Sequence, residues 1–355
     1  MPRSPRLAAP ALPRLPFAFG VCQVGAEPAV KAEVARLKPG WRFAFSRPGL
    51  VTWKTEAPIS PDEPLDAVFV RHHGASIGRA DNAEQVVALV APVLQAAGVP
   101  ARLSVFERDR AKPGDEAPGD SYGPAAEAVR RLVEAAFPPG ALFAETRARP
   151  GDLVIDVVVA GDEPFLVGLH VHGPTHAPWP GGRPSFTLPP EAPSRAWLKL
   201  EEGLAFGRLP LRAGQVALEV GSAPGGASWA LLGRGLTVVG VDPGDMDERV
   251  LRHPGFTHLR STLAEVRRES LPPRIDWLLL DVNVAPQVAL HQLRRLVSTL
   301  RGTLAGALLT LKLNDWGMAR DVPALLARVQ GMGFSRVRAK QLAHNRQELC
   351  VVARP

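Results

Sequence analysis

Lysine is scarce in this 355-residue chain. Of 42 Lys and Arg residues only seven are lysines: Lys31, Lys38, Lys54, Lys112, Lys199, Lys312 and Lys340. Where positive charge alone is wanted the chain uses Arg. A lysine at a special position is therefore a candidate for what Arg cannot do, which is to release its proton. Cysteine is scarcer still. Cys22 and Cys350 alone exclude a disulfide framework and a cysteine-based four-ligand zinc site, and they fit a reducing, cytoplasmic compartment. No run of 18 apolar residues occurs, so no membrane span is expected. The first twenty residues carry Arg3, Arg6 and Arg14 but are broken by five prolines. That is a poor signal-peptide core, and residues 1–16 are expected to be a disordered tail.

What is present is globular in character, with 46% hydrophobic and 22% charged residues over a length that suits two or three domains. The net charge of +7 is uneven. Residues 1–193 hold 20 basic and 21 acidic side chains, whereas residues 194–355 hold 22 basic and 14 acidic. A basic C-terminal half points to a polyanion such as nucleic acid, although an Arg-rich genome produces the same bias.

The order of elements also changes along the chain. Residues 17–172 read as short strands and helices: FAFGV, a helix at EPAVKAEVARL, a hairpin around Pro48-Gly49, strand DAVFVRHHGAS, helix AEQVVALVAPVLQAA and strand ARLSVFER. A loop over 110–123, a helix and two strands follow. This order predicts two α+β, ferredoxin-like units, over 17–95 and 96–172. Seven prolines in 173–193 predict a semi-rigid surface linker. From 194 to 355 apolar strands alternate with helices, which predicts a parallel, buried sheet in a Rossmann-like α/β domain.

That domain contains LEVGSAPGG at 218–226, a strand followed by a Gly-rich turn and a helix. Glycines let a ligand approach the backbone, and Asp242 at the end of the next strand can accept hydrogen bonds from a ribose diol. G-x-G-x-x-G is absent, and no G-K-[ST] follows, so both common phosphate cradles are disfavoured. A ribose-binding acid without a phosphate cradle fits S-adenosylmethionine.

The segments SAPGG, DWLLLDVN, LLTLKLN and HNRQELCVVA, in that order, resemble FtsJ-type (RrmJ-like) 2′-O-ribose RNA methyltransferases. Upstream, HAPWPGGRPSFTLPPEAPSRAWLKLEE resembles the junction found in RlmM-type 23S rRNA 2′-O-cytidine methyltransferases, where a THUMP-containing region meets a class I methyltransferase domain. The resemblance implies a THUMP-like RNA-binding unit over 96–172. It also implies a Lys–Asp–Lys–Glu tetrad at Lys199, Asp281, Lys312 and Glu348, with Lys312 as general base. Cofactor contacts would fall on Ser194, Gly221, Ser222, Ala223, Pro224, Gly225, Gly226, Asp242, Thr262 and Asp281. The sequence departs from the family pattern at Glu219, where Asp is more usual, at Thr262 in RSTLAE, and at VNVAP after Asp281.

The implied activity is methylation of a ribose 2′-hydroxyl of structured RNA, with a cytidine of 23S rRNA as the target. Rival readings are the same chemistry on tRNA or another rRNA site, an RNA-binding protein with a relic pocket, and a nicotinamide-dependent oxidoreductase. The base requires a Lys312 pKa lowered toward neutrality by burial or by a neighbouring cation; Lys199 is one candidate neighbour and the positive sulfonium of the cofactor another.

Other residues carry less. His170, His172 and His176 are clustered, but no nearby Cys completes a site and no metal is expected. His72 and His73 are expected to pack or to face RNA, and Trp179 to anchor the linker. Arg36, Lys38, Arg42 and Arg47, Arg294, Arg295 and Arg301, and Arg336, Arg338 and Lys340 are candidate phosphate contacts. A monomer is the working expectation.

Overall fold

The computed structural model describes residues 12–109, 123–300 and 302–355. Of the tail expected over 1–16, residues 1–11 lie outside the described residues, as do 110–122 of the expected loop, with Lys112, and Arg301; Leu15 and Pro16, expected in the tail, belong instead to the first strand. The chain forms two compact units, Met1–Ser185 and Phe186–Pro355.

In the N-terminal unit the elements are β1 (Leu15–Val21), α1 (Glu27–Leu37), β2 (Trp41–Arg47), β3 (Leu50–Ile59), β4 (His72–Ala80), α2 (Ala83–Ala97), β5 (Arg102–Glu107), α3 (Pro124–Ala136), β6 (Leu153–Ala160) and β7 (Glu163–Val171). They build one seven-stranded sheet in the order β2-β3-β1-β4-β7-β6-β5. The hairpin turns at Gly49 with φ 75°, where a Cβ would stand 2.8 Å from the Asp109 carbonyl oxygen. The α2 helix starts where the Asn82 side chain accepts from the Gln85 N–H at 2.9 Å, and it stops at Gly98 with φ 63°. Its Val86, Val90 and Val93 pack on Leu103, Ile155 and Val157 of the sheet.

Three expectations are corrected here. The units expected at 17–95 and 96–172 share this sheet, because β4 of the first pairs with β7 of the second. The strand expected from residue 66 begins only at His72. Before it, the Val68 and Phe69 N–H groups donate to the Glu33 carboxylate and the Leu65 N–H to His73 Nε2, so side chains replace a ladder. The Pro-rich segment is not a spacer. His176, Pro180, Gly181 and Gly182 are buried in the N-terminal unit, and from Phe186 the chain belongs to the other unit.

The C-terminal unit contains α4 (Ala196–Gly207), β8 (Val216–Val220), α5 (Gly226–Leu232), β9 (Thr237–Val241), α6 (Glu248–Leu251), β10 (Phe256–Leu259), β11 (Trp277–Leu280), α7 (Pro286–Leu300), β12 (Gly306–Lys312), α8 (Val322–Gln330), β13 (Arg336–Lys340) and β14 (Glu348–Arg354). The sheet order is β10-β9-β8-β11-β12-β14-β13. The first five strands are parallel, and β14 runs antiparallel to both neighbours. Strands such as VALEV, WLLL and GALLTLK are buried along nearly their whole length, as a doubly wound sheet requires. The strand order reverses beside β8. Ligand crevices form at such a reversal, outside the carboxyl ends of the strands.

Candidate active site

The residues singled out from sequence gather at that edge. Gly221 follows β8, Asp242 follows β9, Asp281 follows β11, and Lys312 ends β12. Glu348 begins the antiparallel β14 and is the register partner of Lys312, so it enters from the same side. Lys199 reaches in from α4.

The four tetrad side chains form a closed ring of alternating charge. Lys312 Nζ donates to Asp281 Oδ1 at 2.7 Å and to Glu348 Oε2 at 2.5 Å. Lys199 Nζ donates to Asp281 Oδ2 at 3.3 Å and pairs with Glu348 Oε1. Each carboxylate thus bridges both ammonium groups. Burial would lower the Lys312 pKa, but the Asp281 and Glu348 carboxylates outweigh it and hold the amine above the usual lysine value. Burial would likewise raise Glu348, but the two ammonium groups outweigh it and hold the carboxyl below the usual range. Of the two cations expected to lower the Lys312 pKa, Lys199 does not outweigh the carboxylates here. Lys199 shares both carboxylates with Lys312, and the negative partners dominate.

The Gly-rich turn closes the other side of the crevice. Gly221 has φ 85°, and a Cβ there would stand 2.1 Å from the Asp281 carbonyl oxygen, so the two strand ends touch through a residue that must be glycine. Ala at 221 is expected to cost about 1–3 kcal/mol of stability through the positive φ, with the clash adding to this, and chemical denaturation measures the loss. Asp242 holds the turn, its carboxylate accepting from the Ala223 N–H at 3.1 Å and the Gly244 N–H at 2.7 Å. Ser194 sits against the turn, since a Cβ at Gly226 would lie 2.3 Å from its Oγ. Ser222 is buried with Oγ 3.6 Å from Met246 Sδ, the Ala223–Pro224 peptide is cis, and Gly225 caps α5 with φ 115°. Between turn and tetrad lies a cavity of about 140 Å³, lined by Lys199, Glu219, Gly221, Ala223, Asp281 and Lys312 among others. Thr262 is exposed, with its hydroxyl and N–H donating to Glu265.

Three residues of this site went unread in the sequence. Glu219, noted only as a departure, lies behind the cavity and accepts from Ser228 Oγ at 2.5 Å. Burial, with Asp281 and Asp242 nearby, pushes its pKa up to about 8, so it is mostly protonated at neutral pH. In the unfolded chain it ionises near 4.5, and its contribution to stability is therefore lost as pH rises from about 4.5 through 8. The Tm of the wild type is expected to fall relative to that of Glu219→Gln between pH 5.5 and 8. A constant difference would contradict a neutral Glu219. Glu202, buried on α4, accepts from the Ala343 N–H at 2.9 Å, the His344 N–H at 2.8 Å and His344 Nδ1 at 2.8 Å. Asn345 Nδ2 reaches Glu348 Oε1 at 3.4 Å. A second carboxylate in LKLEE, one helical turn after Lys199, was the only signal for Glu202.

The basic candidates divide. Lys340 is buried, and the Arg338 guanidinium lies 4.9 Å over the Phe206 ring, so Arg336, Arg338 and Lys340 do not form a common exposed row. Arg295 donates to the Ala264 and Val266 carbonyls. In the N-terminal unit Lys38 pairs with Glu63 at 2.5 Å and Arg47 lies over Phe45, while Arg42 is exposed. His72 and His73 are buried, so they do not face RNA.

Residues 192–317 match the sequence model of the FtsJ-like methyltransferase family. Among curated proteins, the ribosomal RNA large subunit methyltransferase M of Alkalilimnicola ehrlichii is 37% identical over 187 residues, 50% of this chain and 49% of that protein. Its namesake from Halorhodospira halophila is 36% identical over 50% of this chain and 51% of that protein. A Xylella fastidiosa namesake is 35% identical over 53% and 56%. The chain thus matches about half the length of these relatives. A solved magnesium protoporphyrin IX methyltransferase from Synechocystis PCC 6803 overlaps 45% of this chain and 80% of its own at 17% identity and TM-score 0.33. The family match lies across the Gly-rich turn, Asp281 and Lys312, so over residues 192–317 the C-terminal unit is similar to the FtsJ-like methyltransferases.

Proposed function

We propose that this chain transfers a methyl group from S-adenosylmethionine to a ribose 2′-hydroxyl of RNA, with large-subunit rRNA as the substrate and a cytidine of 23S rRNA as the target. The observation that carries this reading is the Lys–Asp–Lys–Glu ring beside a glycine turn at the strand-order reversal. The names and family of the relatives point the same way.

The residues fit the cofactor. Gly221 keeps the crevice floor free of a side chain, and the cavity lies between it and the tetrad amines. Asp242, anchored by two N–H groups, retains lone pairs for a ribose diol. Ser194 and the 222–226 turn would border the rest. The bound cofactor supplies a methyl carbon already activated by its sulfonium.

The 2′-oxygen must be held about 3 Å from that carbon and in line with the bond that breaks. Lys312 Nζ would take the hydroxyl proton as the 2′-oxygen gains the methyl group that S-adenosylmethionine would supply from its sulfonium. For that, Lys312 must first be neutral. Its carboxylate partners hold the proton on in the unliganded protein, and a positive charge brought into the crevice opposes them. Asp281 and Glu348 then keep both amines oriented, and Lys199 balances the charge. Arg at 312 would hold the ring together without serving as a base. The test is methyl transfer from labelled cofactor to 23S rRNA prepared from cells lacking the chain. Incorporation at one ribose is expected, and transfer to tRNA alone would remove the rRNA assignment.

A further inference from the structure

Five of the nine histidines, His72, His73, His170, His172 and His176, are buried in the N-terminal unit. The sheet brings them together. Ser76, Gly168 and Asp156 form one cross-strand row on β4, β7 and β6. His72 and His170 stand at even spacings from that row and so share its face. Gly168 makes room on this face, since a Cβ there would lie 2.3 Å from the Phe19 ring.

Asp156 is completely buried between two imidazoles. His72 Nε2 lies 2.9 Å from its Oδ1, and His170 Nδ1 lies 2.6 Å from its Oδ2. One donor atom from each of the three residues lies within 4.8 Å of the other two. His176 stacks on His170 with ring centroids 4.2 Å apart, and its Nε2 donates to the His73 carbonyl, which fixes the plane against which His170 rests.

A buried carboxylate needs compensating positive charge. Among the described residues, the hydrogen-bond partners of Asp156 are imidazoles rather than an ammonium or guanidinium group. The two imidazoles and the carboxylate converge on one buried point. They also make an N₂O donor set suited to zinc and neighbouring first-row metals rather than to magnesium or calcium. We infer that His72, Asp156 and His170 bind a divalent transition-metal ion of the zinc class, in a structural site that fastens β4, β6 and β7 together. Three protein donors leave one position of a tetrahedral ion for water. The site lies outside the methyl-transfer machinery and does not depend on that reading.

The test uses the full chain, made without a polyhistidine tag, stripped with chelator, incubated with zinc chloride and gel-filtered. Mass-spectrometric metal analysis is expected to find about one zinc per chain, with Tm raised by zinc and lowered again by chelator. The double variant His72→Gln/His170→Gln is expected to lose that equivalent. Retention of less than about a tenth of an equivalent by the wild type overturns the site and leaves a purely hydrogen-bonded cluster. A full equivalent retained by the double variant also overturns it, by placing zinc elsewhere. Should the double variant not fold, cobalt substitution of the wild type decides. Intense ligand-field bands of a four-coordinate ion support the site, and the weak spectrum of aqueous cobalt refutes it.

Discussion

Replacing Lys312 by alanine is expected to lower methyl transfer about 10³-fold, the scale of a lost general base. Cofactor affinity should stay within about threefold, because the turn held by Asp242 is untouched. Alanine also breaks the ring, leaving Asp281 and Glu348 one ammonium short. Lys312→Arg separates the two effects. It keeps the charge beside both carboxylates, so its Tm should approach that of the wild type, yet its rate should stay as low as that of alanine. The pH profile adds a signed expectation. Only the neutral amine acts as a base, and the resting pKa is held above the ordinary lysine value. The logarithm of kcat/KM should therefore rise with unit slope through neutral pH without a plateau. Lys312→Arg should lose that slope. A Lys312→Arg enzyme within tenfold of wild type would contradict the assignment.

Replacing Glu202 by alanine should lower activity about 10²-fold although Glu202 is not a member of the ring. Its carboxylate joins α4, which carries Lys199, to the turn at Ala343 and His344, which precedes Glu348. Glu202 thereby sets the separation between one amine and one acid of the tetrad. Its removal leaves two backbone N–H groups without an acceptor, each costing about 1–3 kcal/mol where buried. Lys199 and Glu348 would also lose their common reference, and a 1 Å misplacement is worth about 10² in rate. Glu202→Gln keeps one acceptor oxygen and should fall between wild type and alanine. Kinetics are to be read well below each variant's Tm, so that unfolding does not enter. A positioning role predicts a kcat loss of about 10² with cofactor affinity nearly unchanged. Equal kcat for Glu202→Ala and wild type would reduce Glu202 to a stability residue.

The four tetrad positions came from the family resemblance that SRAWLKLEE, LLLDVN, LTLKLN and NRQELCVV carry, and the fold brings those four side chains together. The charge state of Lys312 was not legible. It depends on two carboxylates arriving from β11 and β14, which lie 31 and 36 positions away in sequence. Glu202 was hidden for the same reason, since its partners lie 141 and 142 positions away.

In the N-terminal unit the individual elements were largely visible, but their grouping was not. Local periodicity cannot show that β4 pairs with β7, which is what fuses two expected units into one sheet. Proline density in 173–193 resembled a spacer. Instead, Gly182 packs so closely on Arg71 that a Cβ would meet its carbonyl oxygen at 2.7 Å. The scarcity of lysine retains its meaning. Two of the seven lie in the ring, while Lys38, Lys31 and Lys340 are engaged with Glu63, with Ser46 and in the protein interior.

The most direct test maps ribose methylation by mass spectrometry in 23S rRNA from cells lacking the chain and from cells complemented with wild type or Lys312→Arg. The account predicts loss of a single 2′-O-methylcytidine, restored by wild type and not by the arginine variant. An unchanged methylation map, or restoration by Lys312→Arg, would contradict it.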